Sequence, residues 1–358
     1  MTSLGARLEL PHGPTLPNRI VLAPLTNKQS HPDGTLSEDE HRWLVRRAVG
    51  GFGVTMTAAA YVAPAGKAWA GQLGVHDDAM LPGLTRLAVA LRAAGGISAV
   101  QLHHGGRLAD PAVSGVGRVA PWPDPERDVR ALTTSEVEKT VEDFVTAAVR
   151  AERAGFDGAE VHGAHGYLVC QFLDGHHNQR TDGYGGSLED RSRMLLEILR
   201  GIRERTSSSS FQVGLRLTPE RNGILLAEAR SLAGRVLDSG LLDYLDLSLW
   251  DVAKTPYEDG YDGLLIEHFT DLPRGATRLG VAGKVSSASD AQWCLDHGAD
   301  FVLVGTGAIL HHDFATRAIA DPSFVSVPPP VTRDHLAAES VGPSFVHYLA
   351  TGWDDFVA

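Results

Sequence analysis

The chain has 358 residues, of which 43% are hydrophobic and 21% are charged. This composition is typical of a globular protein and excludes a disordered or a fibrous chain. The formal net charge of -12 disfavours nucleic acid and anionic membrane surfaces as partners, because the negative field of the protein repels phosphate groups.

The amino terminus lacks the apolar core of a secretory signal, and no apolar run of the sequence is long enough to span a bilayer. We therefore expect a cytoplasmic protein. The sequence leaves open whether the protein forms a homo-oligomer. The two cysteines, Cys170 and Cys294, are too few for a disulfide framework or an iron–sulfur ligand set. We expect both to be buried, unreactive thiols.

Short apolar runs, each followed by an amphipathic stretch, alternate along the chain. This alternation predicts parallel strands with helices packed between them. The predicted strands cover residues 19–25, 52–58, 97–102, 157–162, 211–217, 243–248, 278–283 and 300–305.

Local signals predict where several of the helices begin and end. The segment Ser37-Glu-Asp-Glu is typical of a capping box at the start of the first helix, and the segment that begins at Thr134 is typical of one at the third. Gly155 and Gly298 stand where the third and seventh helices need a left-handed residue to end.

The succession of strand–helix units predicts an α/β fold of the closed (β/α)8 type, a TIM barrel, in a single domain of residues 1–358. Such barrels need about 250 residues, so the excess lies in loops and extensions. We expect a lid-like excursion over the barrel mouth at residues 105–133 and a C-terminal extension at residues 327–358. The open doubly wound sheet is disfavoured, because the first turn reads APLTNKQS and lacks the glycine-rich phosphate loop.

The end of the fourth predicted strand, EVHGAHGYL, carries His162, His165 and Tyr167. Strand ends hold the chemistry in barrels of this kind. Three interpretations stay open here: structural histidines, a metal-ligating pair, or two donors that hold a carbonyl or nitro oxygen while the tyrosine supplies a proton. The third explains all three side chains, and the first strand end offers no His-x-His of a metal-dependent hydrolase.

Reduction at such a site needs a cofactor, because no side chain donates a hydride. Arg216 ends an apolar strand, where a cation is costly unless it meets an anion such as a reduced flavin. Gln101 has an amide that both donates and accepts, as the pyrimidine edge of a flavin requires. Gly283 and Gly305 precede helices at the seventh and eighth strand ends, where barrels bind phosphate through backbone N–H groups.

From about Asn18 to Ala320 the chain resembles the Old Yellow Enzyme family, also called the NADH:flavin oxidoreductases. The densest resemblance covers residues 158–193, whose spaced pattern includes Asn178, Arg180, Asp182, Tyr184, Gly185, Gly186, Ser187, Glu189 and Arg191. The resemblance implies an FMN-dependent ene-reductase in which NADPH or NADH reduces FMN. The flavin then reduces an electron-poor alkene, such as an enone, an enal or a nitroalkene.

The resemblance also implies a role for individual residues. The expected flavin contacts are Ala23, Pro24, Leu25, Thr26, Ala59, Gln101, Arg216, Gly283, Lys284, Gly305 and Thr306. The expected catalytic and substrate-binding residues are Thr26, His162, His165, Tyr167, Lys28 and His103, with Tyr167 as the proton donor and Thr26 as a modulator of the flavin potential.

The sequence departs from the family pattern at Thr306, where an arginine usually grips the flavin phosphate. Phosphate binding is therefore expected to rest on backbone N–H groups and on Lys284. Lys28 stands where some members carry an aromatic residue, and Lys28 and His103 are both expected to make the pocket more polar.

Two other functions stay open at this point. One is a metal-dependent, non-redox barrel lyase or hydrolase, and the other is a flavin-binding barrel without turnover, which Thr306 suggests. The long iron–sulfur members of the same family are disfavoured, because their cysteine cluster is missing.

Overall fold

The centre of the fold is a closed barrel of parallel strands, as the alternating pattern predicts. In the computed structural model, which describes residues 2–206 and 209–358, eight strands form a complete circle in which the first pairs with both the second and the last. The strands in chain order are β1 (Ile20–Leu22), β2 (Val54–Met56), β3 (Ala60–Tyr61), β4 (Ile97–His103), β5 (Arg118–Ala120), β6 (Val129–Ala131), β7 (Gly158–Gly163), β8 (Gln212–Leu217), β9 (Tyr244–Ser248), β10 (Arg278–Ala282) and β11 (Phe301–Val304).

Three of these strands lie outside the circle. Strand β3 pairs with the outer end of β4, and β5 and β6 form a separate parallel pair. The remaining strands fall within the eight predicted segments or extend them by one residue. The predicted (β/α)8 barrel is therefore confirmed.

Helices surround the barrel and build its extensions. In chain order they are α1 (Glu38–Val49), α2 (Leu81–Ala93), α3 (Pro111–Ser114), α4 (Thr134–Ala154), α5 (Leu168–Leu173), α6 (Leu188–Arg205), α7 (Leu226–Asp238), α8 (Glu267–Thr270), α9 (Ala288–Asp296), α10 (Thr306–Leu310), α11 (Phe314–Ala320), α12 (Arg333–Ala338) and α13 (Pro343–Gly352).

The helix starts require two corrections. Helix α4 has its capping box on Thr133, which exchanges hydrogen bonds with Glu136, so the prediction at Thr134 is wrong by one residue. Ser37 does cap α1 by accepting the Glu40 N–H. The buried Glu40 carboxylate, however, accepts hydrogen bonds from Asn27 and Ser30. The second correction is therefore that Ser37 caps α1 without the reciprocal bond of a capping box.

The predicted helix ends are confirmed. Gly155 has φ +92° and Gly298 has φ +94°, a conformation that glycine adopts without the steric cost of a Cβ.

An apolar layer closes the amino-terminal end of the barrel. Leu8 and Leu16 pair across a short antiparallel bridge and pack against barrel residues that include Val21, Tyr244 and Phe301. Because this end is filled by side chains, a ligand can enter the barrel at the carboxyl ends of the strands.

The C-terminal extension, residues 327–358, packs against α1 and the loop before it. Phe345 is fully buried, with its ring centroid 5.1 Å from that of Trp43. The Gly342 N–H donates to Gln29 Oε1 (2.9 Å), and Arg47 donates to the Glu339 carbonyl (2.7 Å). These contacts bring α13 to the same end of the barrel as the loop that follows β1.

The excursion at residues 105–133 contains α3 and the pair of β5 and β6. Arg180 ties it to the loop between α5 and α6 by donating to the carbonyls of Pro121 (3.0 Å) and Leu132 (2.6 Å). That it acts as a lid stays a prediction.

Two further expectations concern the whole chain. Within the described residues, no helix is both long and apolar enough to cross a membrane. Cys170 and Cys294 are buried, as expected, and burial raises the pKa of each thiol to about 12.

Candidate active site

A cleft of about 680 Å³ opens at the carboxyl ends of the barrel strands. Barrels of this type place their chemistry at this end, and the volume is typical of a small-molecule site. Most of the residues expected at the flavin come together here. The lining residues are Ala23, Pro24, Leu25, His165, Arg216, Ser248, Trp250, Ala282, Gly283, Lys284, Val285, Ser286, Leu303, Gly305, Thr306 and Trp353.

His162 lies within β7, and His165 lies on the sharp turn that follows this strand. His165 has φ +60° and Gly166 has φ +74°, and the His165 N–H donates to Thr218 Oγ1 at 2.9 Å. A left-handed conformation costs a non-glycine residue roughly 1–2 kcal/mol. The backbone of this turn is therefore strained, and it directs the His165 ring into the cleft. Strained backbone of this kind is common at functional sites.

Hydrogen bonds specify which ring nitrogens of the histidines carry protons. The Ala164 N–H donates to His162 Nδ1 (3.3 Å), so a neutral His162 holds its proton on Nε2. That nitrogen lies 3.3 Å from His165 Nδ1. His165 Nδ1 then accepts, and its protonated Nε2 lies 2.7 Å from Ser248 Oγ. Both rings thus carry an Nε2–H donor.

The electrostatic environment keeps these imidazoles neutral. Burial, together with His165, His103 and Arg216, holds the pKa of His162 well below its usual value. Burial and then Arg216 lower the pKa of His165 to about 3. At neutral pH both side chains are therefore uncharged hydrogen-bond donors.

Tyr167 lies beside the histidine pair, at the start of α5. Its ring centroid is 5.2 Å from that of His162 and 4.3 Å from that of His103, with the planes nearly perpendicular in both pairs. Burial and then the nearby Tyr348 raise the pKa of the phenol. Tyr167 therefore keeps its proton at neutral pH.

A buried charged layer lies among the strands that carry the cleft. Arg216 Nε is 3.1 Å from Asp246 Oδ2, and their side chains are 7% and 0% exposed. The N–H is not aligned with that oxygen, so both atoms stay without a hydrogen bond. Gln101 Nε2 donates to Glu160 Oε1 at 2.7 Å.

The charges of this layer depend on one another. Burial raises the pKa of Asp246, while Arg216 lowers it. Burial and then Asp246 raise the pKa of Glu160. Arg216 is thus a buried cation near the carboxyl groups of Asp246 and Glu160, and the raised pKa values of these two groups oppose their simultaneous ionisation.

The other end of the cleft carries the residues expected at the phosphate. Gly283 has φ +155°, and a Cβ there would lie 2.7 Å from the backbone nitrogen of Asp251, so the position requires glycine. Lys284 Nζ lies 3.1 Å from Asp251 Oδ2, and the lysine side chain is 75% exposed. The lysine is therefore at the rim, already paired with an acid.

Several predicted residues lie next to the cleft without lining it. His103 is buried and its Nδ1 lies 3.0 Å from Gln72 Nε2, which also donates to the Ala59 carbonyl. Burial is the main cause that lowers the pKa of His103. Lys28 has its ammonium 4.5 Å above the Tyr348 ring, and Thr26 is half-buried in the segment after β1.

Sequence reasoning assigned no role to several residues of the site. The strand-end rule does select Ser248, which ends β9, and Trp250 follows two residues later. Asp246 and Glu160 were detectable only as acids within apolar strands. Trp353 lines the cleft from the far C-terminus, and no local signal in the sequence predicts this.

A barrel with a buried arginine at the base of its cleft and neutral donors beside it has the features of a flavin-dependent oxidoreductase. The chain matches the family model of the NADH:flavin oxidoreductase / NADH oxidase family over residues 11–317. It is 38% identical over 317 residues, 85% of this chain and 84% of the other, to the probable NADH-dependent flavin oxidoreductase YqiG of Bacillus subtilis.

Two further similarities extend this result. The solved structure of morphinone reductase in complex with tetrahydroNAD matches with a TM-score of 0.79 and 30% identity, over 94% of each chain. NADH:acrylate oxidoreductase of Vibrio harveyi is 32% identical over 342 residues, 90% of this chain, which spans only 33% of that longer protein. This chain belongs to the NADH:flavin oxidoreductase / NADH oxidase family, and it is an FMN-dependent oxidoreductase that takes electrons from NADH or NADPH.

The chemistry of the site fits FMN. Arg216 lines the cleft, and its Nε–H is a buried donor that lacks a hydrogen bond within the protein. A flavin ring offers an anionic edge to such a cation and amide groups to Gln101. The glycines at 283 and 305 leave backbone N–H groups open for one phosphate.

Proposed function

We propose that the protein is an ene-reductase, which reduces the activated C=C bond of an enone, an enal or a nitroalkene. The observation that carries the proposal is the cluster of His162, His165 and Tyr167, two neutral N–H donors and one phenol, which reaches the cleft through His165. Neutral donors stabilise the negative charge that develops on a carbonyl or nitro oxygen. A phenol that keeps its proton is a suitable acid for the neighbouring carbon.

Bound FMN supplies hydride transfer, first from the nucleotide and then to the β-carbon of the alkene. We propose that its ring is held by Ala23, Pro24, Leu25, Thr26, Ala59, Gln101 and Arg216, and its phosphate by Gly283, Lys284, Gly305 and Thr306. Arg216 offsets negative charge near the ring, and Asp246 fixes the position of the guanidinium.

The side chains of the chain divide the remaining work. His162 and His165 orient the substrate by its oxygen and hold the developing enolate charge. For this, their Nε2–H groups exchange their partners within the protein, His165 Nδ1 and Ser248 Oγ, for the substrate oxygen. Tyr167 delivers its proton to the α-carbon. Lys28 and His103 do not line the cleft, and we propose that they act on its substrate side through the rings that they contact, Tyr348 and Tyr167.

The replacement Tyr167→Phe tests this proposal, because it keeps the ring and removes the acid. General acid catalysis contributes about a hundredfold to ten-thousandfold, so reoxidation by an enone should slow on that scale. Reduction by nucleotide should hardly change. Anaerobic stopped-flow spectroscopy follows each half-reaction separately.

Tyr348→Phe is the matched control, since Tyr348 is the neighbouring phenol that influences Tyr167. Its reoxidation rate should stay close to that of the wild type. The assignment fails if Tyr348→Phe slows reoxidation while Tyr167→Phe does not. It also fails if Tyr167→Phe slows reduction by nucleotide and spares reoxidation.

A further inference from the structure

Beside the cleft lies an exposed cluster that we call the aromatic platform, formed by Arg221, Trp250 and Tyr257. The guanidinium carbon of Arg221 lies 5.9 Å from the Trp250 ring centroid and 5.0 Å from that of Tyr257. Trp250 is 47% exposed and Tyr257 is 70% exposed. Clustered exposed aromatic groups around a cation are a feature of binding surfaces rather than of an inert protein surface.

The platform is held in place by buried interactions. The ammonium of Lys254 pairs with Glu220, whose side chain is fully buried, and the Tyr257 N–H donates to the other oxygen of Glu220 at 2.6 Å. Arg221 and Trp250 have φ of +68° and +66°. Left-handed non-glycine residues persist only where the surroundings enforce them, so this surface is preorganised for a ligand.

The platform is continuous with the active site. The Trp250 ring centroid is 5.6 Å from that of His165, and Trp250 also lines the cleft. We consider a ligand whose reactive ring lies beside His165. If the rest of this ligand leaves the cleft next to Trp250, it passes over the rings of Trp250 and Tyr257 and the guanidinium of Arg221.

The residue types indicate the chemistry of that remainder. Aromatic rings and a guanidinium bind the faces of planar heterocycles, and the guanidinium also pairs with phosphate. An adenosine diphosphate group contains a planar heterocycle, adenine, as well as phosphate. Asp259 and Asp262 are exposed in the same loop. Carboxylates accept hydrogen bonds from a ribose 2′-hydroxyl and repel a further phosphate at that position.

We propose that the aromatic platform binds the adenosine diphosphate half of the nicotinamide nucleotide, and that the neighbouring carboxylates favour NADH over NADPH. The proposal rests on the proposed function only in one respect, namely that the nicotinamide ring occupies the same part of the cleft as the alkene, beside His162 and His165. A coenzyme A thioester also carries adenosine diphosphate. Its additional 3′-phosphate is disfavoured by the same carboxylates.

The test uses the FMN-loaded protein and two electron donors, NADH and reduced nicotinamide mononucleotide, which lacks the adenosine half. Base–aromatic stacking is worth about 1–3 kcal/mol, so Tyr257→Ala should weaken NADH binding by roughly fivefold or more. Arg221→Met should act in the same direction. Neither change should affect reduction by the mononucleotide, which also shows that each variant is folded and loaded.

Arg317→Met is the matched control, because Arg317 makes a similar contact with Phe324, 4.4 Å from its ring centroid, on another part of the surface. It should leave both donors unchanged. Equal losses for NADH and the mononucleotide, or no loss for either, would overturn the proposal.

Two further experiments test which ligand supplies the adenosine diphosphate group and whether the protein prefers NADH to NADPH. A platform variant that slows reoxidation by an enoyl-CoA, spares the matching N-acetylcysteamine thioester and leaves NADH binding unchanged would overturn the nucleotide assignment. The wild type should bind NADH more tightly than NADPH, and the double change Asp259→Asn with Asp262→Asn should narrow that ratio. Equal binding of both nucleotides by the wild type would overturn the selectivity. These outcomes concern nucleotide binding, so they are distinguishable from a failure of alkene reduction.

Discussion

Replacing Arg216 with methionine should separate the structural role of the arginine from its role at the flavin. Arg216 Nε and Asp246 Oδ2 are 3.1 Å apart and almost completely buried. Removing one partner of a buried ion pair typically costs about 3–5 kcal/mol, because it leaves the other charge without compensation. That is a large share of the typical stability of about 5–15 kcal/mol.

A second change identifies the cause of that loss. In the double variant Arg216→Met with Asp246→Asn, no unpaired charge of the pair is left, and replacing a whole buried pair is often close to neutral. We expect most of the lost stability to return. Urea unfolding of the FMN-free proteins measures this, provided that the denaturant slope is the same in each.

The flavin potential should respond differently from the stability. A cation beside the ring stabilises the anionic reduced form, so both variants should show a lower midpoint potential than the wild type. The reasoning is refuted if the double variant is no more stable than Arg216→Met. It is also refuted if the potential of Arg216→Met equals that of the wild type.

Three further predictions concern the rest of the site. His162→Ala or His165→Ala should weaken binding of a para-substituted phenol, measured by spectral titration of the FMN-loaded protein, because each change removes an N–H donor to the phenolate oxygen; unchanged binding would exclude that histidine. Lys284→Ala should weaken FMN binding by less than about tenfold, since the lysine is exposed and already paired with Asp251; unchanged affinity would show that Lys284 does not replace the family arginine. The free energy of unfolding should fall as the pH drops from about 6.5, the ordinary pKa of histidine, towards the pKa of about 3 of folded His165. In this range the unfolded chain takes up a proton at His165 that the folded ring does not bind. The replacement His165→Asn should therefore reduce the pH dependence of the unfolding free energy by up to about 1.4 kcal/mol per pH unit.

Much of the fold follows from the sequence by local rules. Apolar runs alternate with amphipathic stretches, and the number of strand–helix units matches a closed parallel barrel. The first turn, APLTNKQS, lacks the glycine-rich loop of the open sheet. The strand-end rule then selects His165 and Arg216, because the carboxyl ends of all barrel strands meet at one face. For the same reason, Gly283 and Gly305 fall on the cleft as predicted.

The sequence did not determine contacts that depend on barrel closure. The partnership of Arg216 with Asp246 exists because β8 and β9 are neighbours in a register that places these residues side by side. The ring protons of His162 and His165 depend on Ser248, which is contributed by another strand. Such pairs are distant in the chain, and no periodicity encodes them.

The C-terminal extension and the aromatic platform were also decided by tertiary structure alone. Trp353 reaches the cleft because Phe345 and neighbouring residues pack against α1. Trp250 and Tyr257 meet at Arg221 because a buried ion pair fixes their loop. Local sequence specified the strands and the residue types at their ends. Packing between distant segments decided which charges are paired, which protons are held and which aromatic rings border the site.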